Sequence, residues 1–114
     1  MGLSVHEEQG VAVVEVSGEL DAAHHSELGD TIERLLTQGQ RRVVLDLHDV
    51  PFIDSMGLAT LVRCFKRVRS GAGRLALASL QPAVRRVLEL TRLDRAFDVH
   101  GDVSEAIRHM SGRT

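Results

Sequence analysis

Arg42-Val43-Val44-Leu45-Asp46-Leu47 is short, β-branched and, after Arg42, apolar apart from Asp46, as expected of a central strand covered on both faces. After Pro51-Phe52-Ile53 comes Asp54-Ser55-Met56-Gly57, then Leu58, Leu61, Val62, Phe65 and Val68, apolar positions spaced by three and four. That spacing is the helical period. Gly71 ends this helix, and Arg67 and Arg69 in its last turn suit the helix dipole. A buried strand, a short connection and an amphipathic helix make half of a βαβ unit, so the stretch predicts a layered α/β fold.

Working outward, Leu3 to Glu8 and Val11 to Ser17 read as two strands joined around Gln9-Gly10, a hairpin. The period then changes. Leu28, Ile32, Leu35 and Leu36 share one helical face, with Ser26 as candidate cap and Gly39 as the stop after Gln38. Downstream, Leu75 to Ala78 predicts a strand, and Pro82 opens a helix with Val84, Val87 and Leu88 on its buried stripe. Phe97 to Val99 predicts a last short strand, and Asp102-Val103-Ser104-Glu105 opens a terminal helix through Met110. The order β β α β α β α β α predicts a mixed, mostly parallel sheet of about five strands with about four helices.

Length and composition narrow the function. At ~100 to 200 residues per domain, the 114 residues predict one domain over 1–114. A composition 43% hydrophobic and 26% charged excludes a disordered or collagen-like chain. No apolar run approaches the ~20 residues of a spanning helix, and Met1 to Gly10 is acidic where a secretory signal is basic and then apolar. The expectation is a cytoplasmic protein with no membrane partner. The single cysteine, Cys64, excludes an internal disulfide and a cysteine-built zinc site. Residues 1–57 carry eleven acidic side chains against Arg34, Arg41 and Arg42, a balance of −8, while residues 58–114 carry eleven basic against five acidic, +6. These charges are interspersed at structural spacing, so they belong to folded faces. With no Trp or Tyr and three Phe, the chain lacks stacking platforms for single strands, and no direct nucleic-acid partner is expected.

Ser55 stands where a parallel sheet meets a helix N-terminus, the usual place for a site in α/β proteins. Taken alone, a serine there is also a simple N-cap, worth ~1 kcal/mol. Its surroundings add more. Gly18-Glu19-Leu20-Asp21, the Val43 to Leu47 strand, Phe52-Ile53-Asp54-Ser55-Met56-Gly57-Leu58 and Pro82-Ala83-Val84-Arg85-Arg86 with Leu88 together resemble the anti-sigma factor antagonist family, whose domain is called STAS. Each piece is short; their order and spacing carry the likeness over nearly the whole chain.

The resemblance implies a single STAS-type domain that is not an enzyme and needs no cofactor. It implies that Ser55 is the phosphoacceptor of a serine kinase that is also the anti-sigma factor. The unphosphorylated form would bind that kinase and free the sigma factor, phosphorylation would release it, and a serine phosphatase would reset it. Asp21, Asp54, Ser55, Met56 and Gly57 are the partner-binding residues so implied. The family often has a second hydroxyl residue after the serine; Met56 stands there, leaving Ser55 as the acceptor in the motif. The same domain also implies an alternative role, as a regulatory subunit of a membrane lipid or anion transport complex.

Other motifs support little chemistry. His24-His25 are adjacent, so on a helix they point in different directions, and no third metal ligand is in register. Arg63, Lys66 and Arg67 form a basic outer face on the second helix, a solvated surface or one that steers an acidic partner. Ser55 lacks the glycine-flanked elbow of an α/β-hydrolase, and Gly71-Ala72-Gly73 precedes a strand rather than the helix a phosphate loop needs. A phosphoacceptor receiver domain needs a lysine after its last strand, and the one lysine is Lys66.

Overall fold

The structure, a computed structural model, describes residues 2–20 and 25–111. The elements are β1 (Gly2–Glu8), β2 (Val11–Ser17), α1 (His25–Thr37), β3 (Arg42–Asp49), α2 (Ser55–Ser70), β4 (Arg74–Ala78), α3 (Pro82–Leu90), β5 (Asp98–His100) and α4 (Val103–Ser111). The five strands form one sheet in the order β1-β2-β3-β4-β5. Only β1 runs antiparallel to its neighbour; the other pairings are parallel. The β1–β2 hairpin turns at Gln9 (φ 54°) and Gly10 (φ 80°). Two successive positive φ values are the signature of the turn whose twist matches the flanking strands.

From β2 to β5 the chain steps one strand at a time in a constant direction. Right-handed crossovers then put each connecting helix on the same face. The core agrees: Leu28 and Ile32 of α1, Leu61 and Val68 of α2, and Val84 and Leu88 of α3 share one cluster with Val14, Val43, Leu45 and Leu77 of the sheet. The other face is covered by α4, whose Ala106, Ile107 and Met110 pack on Val11, Val13, Val44, Ala76 and Ala78. The central strand is thus covered on both sides, with Val43, Val44, Leu45 and Leu47 fully buried.

Three local expectations shift. β3 continues past Leu47 to Asp49 because, after an irregularity between Glu15 and Ser17, Ser17 pairs with Asp49. β5 begins at Asp98, not Phe97: the Phe97 amide donates to Leu93 O at 2.9 Å, and its ring packs edge-on to Phe65 with centroids 5.1 Å apart. Ser26 is not a cap, since α1 starts at His25 and takes Ser26 into its first turn.

Candidate functional site

The C-terminal edge of the parallel strands carries two connections that meet. Leu20, after β2, forms an isolated parallel bridge with Ile53, before α2. Both side chains are buried, and the Gly18 amide donates to Asp49 O at 3.0 Å. These contacts fix the approach to α2 relative to the approach to α1. Asp21 comes directly after Leu20 in the chain; it lies outside the described residues, as does His24.

Asp54 and not Ser55 caps α2. Asp54 is extended (φ −97°, ψ −178°), and its Oδ1 accepts the Gly57 amide at 2.8 Å. Its carbonyl oxygen accepts the Leu58 amide at 2.9 Å. The first turn therefore has its cap before Ser55 is reached, and Ser55 is the first helical residue. Its side chain is exposed and makes no hydrogen bond among the described residues. The simple-cap reading of Ser55 is corrected on that geometry. Aspartate and serine are comparable caps, so their adjacency hid which of the two the backbone would select.

Apolar side chains flank the hydroxyl. Phe52 is 50% exposed and Met56 39%. Gly57 is buried, and a Cβ there would collide with the Leu20 carbonyl oxygen and lie 2.8 Å from Ile53 Cγ1. Its part is close approach: lacking a side chain, it lets the first turn of α2 sit down on the Leu20–Ile53 bridge. Asp54, Ser55 and Met56 are thus presented together at the surface, and Gly57 holds them from beneath. The sequence alone assigns Phe52 no role; an aromatic between Pro51 and the cap, in a connection too short to bury it, is the signal that could have marked it.

Nearby lies an acidic depression of about 210 Å³ lined by Glu15, Asp46, His48 and Asp49. Its polar side chains are already engaged, the Ser4 hydroxyl donating to Glu15 Oε1 at 3.0 Å, the His48 ring lying 3.0 Å from Asp49 Oδ1 and the His48 amide donating to Asp46 Oδ1 at 3.1 Å. Among the described residues no cluster of three or more His, Cys, Asp or Glu side chains is arranged to hold a metal ion. No helix among them is long and apolar enough to cross a membrane. Burial pushes the Cys64 thiol up to about 11, with Arg63 opposing and Glu33 adding to the shift, so the thiolate that a nucleophile requires is scarce near neutral pH.

The sequence profile of the STAS domain matches residues 3–106. A Thermotoga neapolitana protein named, provisionally, as an anti-sigma factor antagonist is 38% identical over 81 residues, covering 71% of this chain and 72% of the relative. The crystal structure of an anti-sigma factor antagonist from Mycobacterium paratuberculosis superposes with a TM-score of 0.84 at 30% identity, over 95% of this chain and 92% of that one. The anti-sigma factor antagonist SpoIIAA in its unphosphorylated form shares the fold, with a TM-score of 0.76 at 20% identity over 98% and 100% of the two chains.

Proposed function

The chain belongs to the STAS domain family, and from that premise we propose that it is an anti-sigma factor antagonist switched by phosphorylation of Ser55. The unphosphorylated surface of Asp54, Ser55 and Met56, with Gly57 beneath, binds an anti-sigma factor that is also a serine kinase, and Asp21, next after Leu20 in the chain, takes part in that contact. The sigma factor is thereby freed in the cytoplasm. In the kinase reaction Ser55 Oγ loses its proton and forms a bond to the γ-phosphorus of ATP while the bond to the bridging oxygen breaks, leaving ADP. A serine phosphatase hydrolyses the ester and resets the protein. The catalytic groups belong to the partners; this chain supplies the acceptor and the surface.

One observation carries the reading: the Ser55 hydroxyl is exposed at the start of α2 and released from capping by Asp54. A phosphate adds about −1.5 to −2 charges there. The positive end of the α2 dipole tolerates that charge, so the fold survives. The adjoining Asp54 carboxylate makes the surface more acidic, and a partner matched to the neutral hydroxyl is repelled. The names of the relatives from Thermotoga neapolitana and Mycobacterium paratuberculosis support the class of partner.

The test is capture of candidate anti-sigma kinases on the protein with and without ATP, followed by proteolysis and mass spectrometry. The expected result is capture that ATP abolishes and one phosphate, on Ser55. Stoichiometric phosphate on Thr60 or Ser79 with Ser55 unmodified overturns the assignment. Capture of transporter subunits, unaffected by ATP, places the protein in the alternative transport role instead.

A further inference from the structure

A groove of about 910 Å³ runs between α1 and α2, from Ser26 and Met56 at the Ser55 end to Arg67 and Ser70 at the other. From Met56 to Ser70 it tracks about 21 Å of helix at ~1.5 Å per residue. Ile32, Thr60 and Cys64, all buried, line it from below. On the α1 wall Gly29 leaves a gap, for a Cβ placed there meets nothing within 4 Å. Its rims carry opposite charge. Arg63 and Lys66 stand on the α2 rim without a carboxylate partner among the described residues, and Asp30 stands on the α1 rim without a cation among them. At the far end Arg67 Nε donates to Glu33 Oε2 at 2.6 Å, tying the two walls together.

We propose that this groove receives an amphipathic helix of the same partner that meets Ser55. The apolar stripe of that helix lies over Thr60 and Cys64, its carboxylates run along the Arg63–Lys66 rim, and a cation faces Asp30. The groove's length and apolar floor suit a helix laid in a groove and read through one stripe. Its charge pattern selects an acidic edge on the side of α2. Its mouth is continuous with the switch, because Met56 both flanks Ser55 and lines the groove. The occupant comes from another protein: the large hydrophobic side chains exposed among the described residues are Val5, Phe52, Met56 and Leu90, scattered over β1, the approach to α2, α2 and α3, so the described residues form no spare apolar helix face to offer a second copy.

The inference rests on the proposed kinase partnership, and the experiment separates the two. Binding of the captured kinase is measured for the wild type and for Gly29→Leu, Lys66→Glu, Arg108→Glu and Ser55→Asp, with circular dichroism to confirm folding. Gly29→Leu fills the gap without touching Ser55 and replaces a helical glycine by a better helix former. It is expected to weaken binding by about tenfold or more, as blocking a central contact does. Lys66→Glu lowers the association rate and its dependence on salt, while the same charge change at Arg108, on α4 across the sheet, does not. Wild-type affinity in Gly29→Leu and Lys66→Glu, with Ser55→Asp impaired, overturns the groove and leaves the switch standing. The reverse pattern overturns the switch and keeps the groove. If Gly29→Leu instead disperses a homodimer of the free protein, the occupant is a second copy and the proposal fails. Should Gly29→Leu not fold, the Lys66→Glu and Arg108→Glu pair decides alone.

Discussion

Two helices of this molecule begin on an aspartate cap, and their first turns are otherwise unlike. At α4, Asp102 Oδ1 accepts the Glu105 amide at 2.8 Å, and Glu105 Oε1 reaches back to accept the Gly101 amide at 2.8 Å. The next residue, Val103, packs against the core beneath α4. That start is closed by its own side chains. At α2, Asp54 performs the same capping at the same distance, yet the next position holds an exposed hydroxyl between exposed Phe52 and Met56. Capping is satisfied at both ends, so it cannot be what Ser55 is for. The difference isolates a polar atom that the fold does not use.

The comparison is tested most severely by charge at the idle position. Ser55→Asp is expected to cost about 2 to 5 kcal/mol in kinase binding, the general penalty for a buried interfacial charge left unpaired. Ser55→Ala brings no charge and is expected to bind the kinase and resist release by ATP. Calorimetry at one salt concentration gives both affinities. Equal values for the two variants remove the electrostatic account of the switch.

The glycines at the two helix starts should differ next most. Gly57→Ala drives a methyl into the Leu20 carbonyl and is expected to destabilise the protein by about 3 kcal/mol, at the upper end of ordinary overpacking. At Gly101 the nearest atom to a new Cβ is Glu105 Oε1 at 3.6 Å, an ordinary contact. Gly101→Ala is expected to change stability by less than about 0.5 kcal/mol. Urea denaturation of the pair measures both, and a tolerant Gly57 would mean that α2 does not rest on the Leu20–Ile53 bridge.

The caps themselves come third. Asp54→Ala and Asp102→Ala are each expected to lose about 1 kcal/mol. Parity would show two helix starts that share a cap and differ in the residue after it, Ser55 in one and Val103 in the other. A loss at Asp54 well below that at Asp102 would return the capping work to Ser55.

The legible parts of the molecule are those set by local interactions. The course of α2 could be read from Leu58, Leu61, Phe65 and Val68 because an amphipathic period depends on one segment alone. The central place of β3 was visible in Val43-Val44-Leu45 because a strand covered twice must be apolar on both sides. The choice of cap was not visible: Asp54 and Ser55 are both good caps, and the extended backbone at Asp54 that decides between them is set by Ile53 pairing with Leu20, a partner distant in sequence. The groove was hidden for a related reason. Arg63, Lys66 and Arg67 could be read as a basic face, but the missing side chain at Gly29 gains meaning only when α1 lies beside α2.

The smallest effect is the most diagnostic. Ser55→Ala removes a hydroxyl that is exposed and makes no hydrogen bond among the described residues, so nothing buried is left unsatisfied. Alanine is the better helix former by a few tenths of a kcal/mol, and the Asp54 cap stays in place. Stability should therefore move by less than about 0.5 kcal/mol in either direction. In a domain near this size that is about 2 to 4 °C in Tm. A serine acting as the cap would instead cost about 1 kcal/mol, twice that shift. Calorimetric scans of Ser55→Ala beside Asp54→Ala distinguish the cases, because both variants change one side chain at the start of one helix. If the two lose stability equally, Ser55 shares the capping work and its exposure is no sign of a reserved acceptor. If alanine at 55 is neutral while alanine at 54 is not, the hydroxyl contributes nothing to the fold, and its worth lies in what another protein does with it.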